Sequence, residues 1–448
     1  MAITLVQKSP SGKKKNPTVA LVLSGGAISG GAFKTGGLIA LDMMLKNYSV
    51  MDCDMYLGIS AGSFLAAPLA AGIPPRESLR SFAGTSDKLS PFGASTFYWP
   101  NVAEVVEKGG SALHELATIY PRLVWTVLRL VSKGGPLAMI TAKRLLKKKS
   151  LKNLPLLEKS MQELEQLYEQ LPSLASFVPT GVFDNSRIES YIRKNFERQR
   201  IPNNFALLEA ERGKRLYIHA VDLDTAGDVI FGPDERHDVT ISQAVKASTA
   251  LPGFYRPARI NGRYYIDGNA RKTAPLELAT QKGADLTLCY NPFKPFHHAP
   301  AKRLSAKYSS LGDMGMAKVL DQSIRTLLHS RLDLAVEDLR NDPTFKGDIM
   351  VLEPADSDAD FFSINPLAFW KRAEAAKHGF ITVARDVERN FVRIREFFAR
   401  YDLDIDLAQA EFVAEKLKEA AGEEEIAEIL TSPPMPPAWR RRNGLGTT

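Results

Sequence analysis

Residues 57–66 read LGISAGSFLA, and Gly58-Ile59-Ser60-Ala61-Gly62 within them fits the pattern G-x-S-x-G. In that pattern the small flanking residues let a strand turn sharply into a helix, leaving the serine oxygen exposed. At ordinary glycine content such a pentapeptide arises by chance in roughly one chain in ten of this length, so its surroundings decide whether Ser60 is a nucleophile. Residues 55–58 read as a strand and AGSFLAAPLAAG as a helix, which is the strand, turn and helix that the pattern requires.

Working outward, TVALVLS at 18–24 reads as a buried strand, followed by a glycine loop and a helix over AFKTGGLIALDMML. Alternation resumes late in the chain. RLYIHAVDL and DVIFG read as strands, ISQAVKASTAL as a helix, and DLTLCYNP and DIMVLEP as strands. Strands interleaved with helices predict an α/β fold with a mostly parallel central sheet covered on both faces. The reading places a polar tail at 1–16, a catalytic domain at 17–355 with a helical, basic insertion or cap at 85–205, a helical region at 356–430 and a disordered end at 431–448. In the insertion, Met161, Leu164, Leu167 and Leu171 recur at helical spacing.

The chain has 448 residues, 44% hydrophobic and 24% charged, an ordinary globular composition. Its two cysteines, Cys53 and Cys289, lie far apart in apolar surroundings and read as reduced core thiols. The start carries lysines after a short apolar stretch, with no small-residue cleavage site, so no signal peptide is expected. Nowhere do eighteen apolar residues run together, so membrane contact is expected to be peripheral. The expected location is cytoplasmic, with contact at the inner membrane face.

The net charge is +7, and its position is informative. Residues 116–157 hold nine Lys or Arg and no Asp or Glu, which exceeds the whole-chain excess. Within this segment Leu123, Val127, Leu130 and Val131 have helical spacing, with Trp125 and Arg129 among them and Lys147, Lys148 and Lys149 beyond. A basic amphipathic helix with aromatics suits an anionic lipid surface; a helix packed on the core with a solvated basic face fits equally. Nucleic acid is not expected, because no recognised binding motif accompanies the charge.

The glycine loop LSGGAISGGAF, residues 23–33, joins a strand to a helix, so its N–H groups suit an anion. Dinucleotide and P-loop spacings both fail, since Gly31 and Ala32 follow Gly30 where Lys and Ser or Thr should stand. An oxyanion hole remains, in which each fixed donor is worth about 10²–10³ in rate. A serine nucleophile then needs a base. His219 lies inside a strand and reads as a core residue. His297 and His298 sit in a proline-bounded loop, and His329 and His378 fall on helices. His114 and His237 stand in polar contexts, and no pair of histidines has the spacing of a metal site. Asp267, in GRYYIDGNARKTAPLELA, ends a strand before a turn. It serves either as a carboxylate base or only as the Asx residue of that turn.

Five blocks in order now resemble the patatin-like phospholipase family: SGGAISGGAF, GISAG, VDLDTAGDVIFG, AVKASTALPGFYRPARINGRYYIDG and APLELA, together covering about 17–295. The resemblance implies a three-layer α/β/α fold and a Ser-Asp dyad that hydrolyses lipid acyl esters without a catalytic histidine. Ser60 matches the nucleophile, Asp267 the base, and Gly25, Gly26 and Ala27 the oxyanion loop. Gly58 and Gly62 match the elbow, Gly268 and Asn269 the turn after the base. Three positions depart from the family. The loop has Ala27 where a third glycine is usual, Ser29 near the usual basic position, and one extra residue before Ala32. Asn269 replaces the second glycine after the aspartate, where its tolerance of left-handed angles keeps the turn, and Thr273 replaces an asparagine.

The expected function is therefore a calcium-independent lipid acyl hydrolase that uses no cofactor or metal and works at a membrane surface through an acyl-enzyme. An inactive lipid-binding or regulatory protein and an acyltransferase with the same nucleophile are the alternatives.

Overall fold

A computed structural model describes residues 3–10, 12–102, 104, 106–108, 179–297, 309–355 and 358–432. Nine strands form one sheet: β1 (Ile3–Gln7), β2 (Val19–Leu23), β3 (Met55–Ile59), β4 (Arg215–Asp222), β5 (Asp228–Phe231), β6 (Ala258–Ile260), β7 (Arg263–Asp267), β8 (Leu286–Tyr290) and β9 (Asp348–Leu352). Their order is β1-β9-β8-β2-β3-β4-β7-β6, with β5 also pairing β4. The pairs from β9 through β4 are parallel, and β1, β5, β6 and β7 join antiparallel. Every residue of β2, β3, β8 and β9 is buried. Continuous apolar runs of that kind belong to strands covered on both faces, and the expected α/β/α architecture is the one observed.

Register sets up the site. Ile59 at the end of β3 lies beside His219 of β4, and Ala220 of β4 faces Asp267 of β7 across an antiparallel pair. The residue after Ile59 and the last residue of β7 are thereby brought to one edge of the sheet, although 206 positions separate Ser60 from Asp267 in the chain (267 − 60 − 1).

Five helices matter below: α1 (Ala27–Met44), α2 (Ala61–Ala70), α3 (Ile241–Ser248), α4 (Met316–Asn341) and α5 (Arg372–Arg389). Helix α3 starts with a capping box between Thr240 and Gln243. Helices α1 and α5 pack unusually closely through glycine. A Cβ on Gly36 would lie 1.8 Å from the Ala376 carbonyl oxygen, and one on Gly379 would lie 1.9 Å from that of Phe33.

The boundaries differ from those read in the sequence. The expected polar tail contains β1, which pairs antiparallel with β9 and buries Ile3 and Val6 while Thr4 and Gln7 stay exposed. The separate unit is Pro100–Phe183, narrower than 85–205. Within it Pro100 bridges Phe183 antiparallel, and Asn101 N–H donates to the Val182 carbonyl at 3.1 Å, so the two ends of this unit lie together. The helix Ser186–Arg198 belongs instead to the main unit, where Ile188, Ile192 and Phe196 are buried. The helices after 356 also belong to it, because α5 covers α1. The expected end at 431 falls on the last residue of the helix Glu423–Thr431. Trp125, Arg129, Lys147, Lys148 and Lys149 lie outside the described residues, as do Met161, Leu164, Leu167, Leu171 and residues 433–448. No helix of the described residues is long and apolar enough to cross a membrane.

Candidate active site

Ser60 sits between β3 and α2 with φ 54° and ψ −127°, a backbone conformation that costs a side-chain-bearing residue about 1–3 kcal/mol. Its neighbours make the turn possible. A Cβ on Gly62 would lie 2.0 Å from the Leu23 carbonyl oxygen, and one on Gly58 would lie 2.5 Å from the Ser63 Cα. Three bonds hold the strained residue in place. Ser60 N–H donates to Ser248 Oγ at 2.8 Å, the Ser248 hydroxyl donates to the His219 carbonyl at 2.7 Å, and Ser63 Oγ donates to the Ser60 carbonyl at 2.7 Å. The elbow is thus tied to α3 and β4, two elements that sequence spacing did not connect with it.

Asp267 ends β7 and is 1% exposed. Its Oδ1 accepts from both the backbone N–H and the side-chain Nδ2 of Asn269, each at 2.9 Å. Its Oδ2, equally buried, makes no hydrogen bond of normal geometry. Burial raises the carboxyl to about 6; the Ser60 hydroxyl, the two Asn269 donors and the Lys34 charge act in the opposite direction, the hydroxyl most strongly. Ser60 is therefore close enough to act on the carboxyl, second only to burial.

Asn269 keeps the turn for a reason other than left-handed angles. Gly268–Ala270 form a 3-10 turn, Asn269 is not among the residues of positive φ, and its contribution is the pair of bonds to Asp267. Gly268 has no room for a side chain, since a Cβ would lie 2.6 Å from His219 Nδ1. Arg331 of α4 clasps the same turn, donating to the carbonyls of Asn269 at 2.8 Å and Ala270 at 3.2 Å. Thr273 donates to the Leu328 carbonyl at 2.7 Å, anchoring the chain after the turn to the same helix.

The glycine loop brings amides to this edge. Gly26 and Ala27 have φ 130° and 51°, so both successive peptides are turned out of helical direction. The N–H groups of Ile28 and Ser29 are taken by the Pro366 carbonyl at 3.0 and 3.1 Å. Those of Gly25, Gly26 and Ala27 have no acceptor among the described residues. A Cβ on Gly25 would lie 2.0 Å from Asn269 Nδ2, so loop and turn are in direct contact.

One residue escaped the sequence reading. Lys34, on α1, is fully buried, and its ammonium donates to the Gly25 carbonyl at 2.5 Å. Burial lowers its pKa to about 7, against the opposing influence of the Cys289 thiol and of Asp267. The signal for it was a lone cation inside the apolar helix run AFKTGGLIALDMM. His219 is buried as expected, with Nε2 at 2.7 Å from Asp228 Oδ1, but Nδ1 has no partner. Cys53 and Cys289 are free and buried.

A cavity of about 70 Å³, part of it open to solvent, reaches Ser60, Ala61 and Ala27. Its wall is almost wholly apolar, with Phe64 and Leu65 from α2, and Phe92, Phe254 and Phe369 from distant parts of the chain. A hydroxyl beside an unpartnered carboxylate oxygen, free amides and an apolar slot together suit attack on the carbonyl of an apolar acyl group.

Residues 21–280, more than half of the chain, match the family model described as Patatin-like phospholipase. Among solved structures, the crystal structure of VipD from Legionella pneumophila is similar over 96% of this chain and 94% of that one, at 13% identity and a TM-score of 0.28, a likeness on which nothing below rests.

Proposed function

Because the chain belongs to the patatin-like phospholipase family, a family of lipid acyl hydrolases, we propose that it cleaves carboxylic esters of lipids with Ser60 as nucleophile and Asp267 as base. The observation that carries this reading is the strained Ser60 next to a buried carboxylate whose Oδ2 has no other partner. In the first half of the reaction, Oδ2 accepts the Ser60 proton as Oγ bonds to the ester carbonyl carbon. The resulting oxyanion is held by amides of the loop Gly25-Gly26-Ala27. Collapse breaks the bond to the alcohol, which leaves with the proton from Asp267. In the second half, water gives a proton to Asp267, attacks the acyl-enzyme and releases the fatty acid, and Ser60 Oγ recovers its proton.

The acyl chain is assigned to the apolar cavity beside Ser60, and no step calls for a metal, so activity is expected to persist in the presence of a chelator. The basic residues Lys147, Lys148 and Lys149 are assigned the contact with anionic lipid; neutralising them is expected to weaken liposome binding and its salt dependence.

The test is fluorophosphonate labelling and p-nitrophenyl ester turnover of wild type, Ser60→Ala and Asp267→Asn. Labelling and turnover in wild type that vanish in Ser60→Ala are expected. Full turnover by Ser60→Ala would remove the nucleophile, and an unlabelled, inert wild type would favour a lipid-binding protein. Added alcohol acceptors that gain the acyl group would identify an acyltransferase.

A further inference from the structure

Lys34 has no exposed surface. An ammonium in such a place costs several kcal/mol unless it is compensated, and the hydrogen bond that holds it goes to a neutral carbonyl, that of Gly25. Each packed element contributes something different to its surroundings. The loop after β2 gives the Gly25 oxygen, β8 gives the Cys289 thiol, kept protonated by burial, and the end of β7 gives Asp267. Glu353, just after β9, acts on Cys289. Of the groups acting on Lys34, Asp267 is the carboxylate, and its influence is smaller than that of Cys289.

The bonded carbonyl has a second consequence. The Gly25 oxygen belongs to the same peptide group as the Gly26 N–H, which has no acceptor among the described residues. A cation on the oxygen polarises that peptide, and polarised hydrogen-bonding groups strengthen one another in a low-dielectric site. The ammonium therefore fixes the peptide's direction and makes its N–H a better donor at the opposite end.

We propose that Lys34 is a positioning residue for ester hydrolysis, holding the Gly25–Gly26 peptide in the direction that presents its N–H to the oxyanion. The inference rests on the Ser60–Asp267 reading. A lysine that merely fills space beneath the loop would affect stability when replaced, but not the pH dependence of turnover.

The experiment measures kcat and KM for a soluble p-nitrophenyl ester from pH 5 to 9 in wild type and Lys34→Met, with a melting curve for each. In wild type, kcat/KM is expected to rise as Asp267 loses its proton near pH 6 and to fall between pH 7 and 9 as Lys34 loses its own. In Lys34→Met, kcat is expected to drop about 10- to 100-fold with KM within about twofold, and the alkaline limb to disappear while the acid limb stays in place. A folded Lys34→Met with wild-type kcat and an unmoved profile overturns the inference and leaves the hydrolase reading intact. If the variant does not fold, a wild-type profile that stays flat from pH 7 to 9 overturns it just as well. An inert wild type overturns the hydrolase reading, and this inference with it.

Discussion

Asp267 divides its two oxygens between the alternatives that the sequence left open. Oδ1 makes the Asx turn with Asn269, and Oδ2 makes no other hydrogen bond and is free for the proposed role as base, so the turn and the proposed chemistry do not compete for the same oxygen. The division has an energetic consequence. A carboxyl whose folded pKa is about 6, above the ordinary 3.8, binds more protons folded than unfolded, so its contribution to stability falls as pH rises from about 4 to 6. Asp267→Asn is therefore expected to be more stable than wild type at pH 7, by an amount on the order of 1–3 kcal/mol, while kcat falls 10²- to 10⁴-fold. Denaturant midpoints at pH 5 and 7 check the sign: a variant destabilised at both would mean that burial does not strain this carboxylate. Ala27 carries a similar cost, since φ 51° suits glycine. Ala27→Gly is expected to keep its activity within about threefold and to melt no lower than wild type, because relief of about 1 kcal/mol offsets the added chain entropy. Ser60 and Asp267 were readable as candidates because each sits in a short local pattern. Lys34 was not, since its partner is a backbone carbonyl that no side-chain motif marks.

At the scale of elements, the strand-turn-helix of Ser60 was readable from five letters, whereas its support was not. Ser248 reaches the Ser60 amide from a helix 188 positions away in sequence, and only the order of β3, β4 and α3 brings it there. Removing that hydroxyl leaves a buried N–H without a partner, at a cost of about 1–3 kcal/mol. Ser248→Ala is expected to lower the melting temperature and, on the proposed mechanism, to reduce kcat more than it raises KM, since it frees the backbone of Ser60. Unchanged kcat with lowered stability would limit Ser248 to a packing role. The cavity was invisible for a related reason. Phe64, Phe92, Phe254 and Phe369 come from four separate stretches, each reading as ordinary core. A tryptophan at half-buried Leu251, on the cavity wall, is expected to cut turnover of long-chain p-nitrophenyl esters at least tenfold while sparing the butyrate. Equal losses on both would show that the acyl chain lies elsewhere.

For the whole molecule, the sheet's parallel centre followed from continuous apolar runs, but its margins did not, because an edge strand is short and half polar. The first strand illustrates this. Residues 3–7 are a short stretch with only three apolar residues and no alternation, followed by the lysines at 13–15, so nothing local marked the strand that pairs with β9. The segment also satisfies a buried charge. Asp348 is fully enclosed and accepts from Lys8 N–H and Ser9 N–H, each at 2.8 Å, and from Ser9 Oγ at 2.9 Å; Arg400 Nε stands 3.5 Å away. Deleting residues 1–10 would expose the edge of β9 and strip these donors from the carboxylate. A loss on the order of 3–5 kcal/mol is expected from the uncompensated charge, together with self-association through the bared edge. Adding Asp348→Asn to the deletion separates the two effects: it should recover much of the stability, because the charge is gone, and leave the association, because the edge remains open. A truncated protein that melts with wild type would mean that β1 adds nothing to the stability of the sheet.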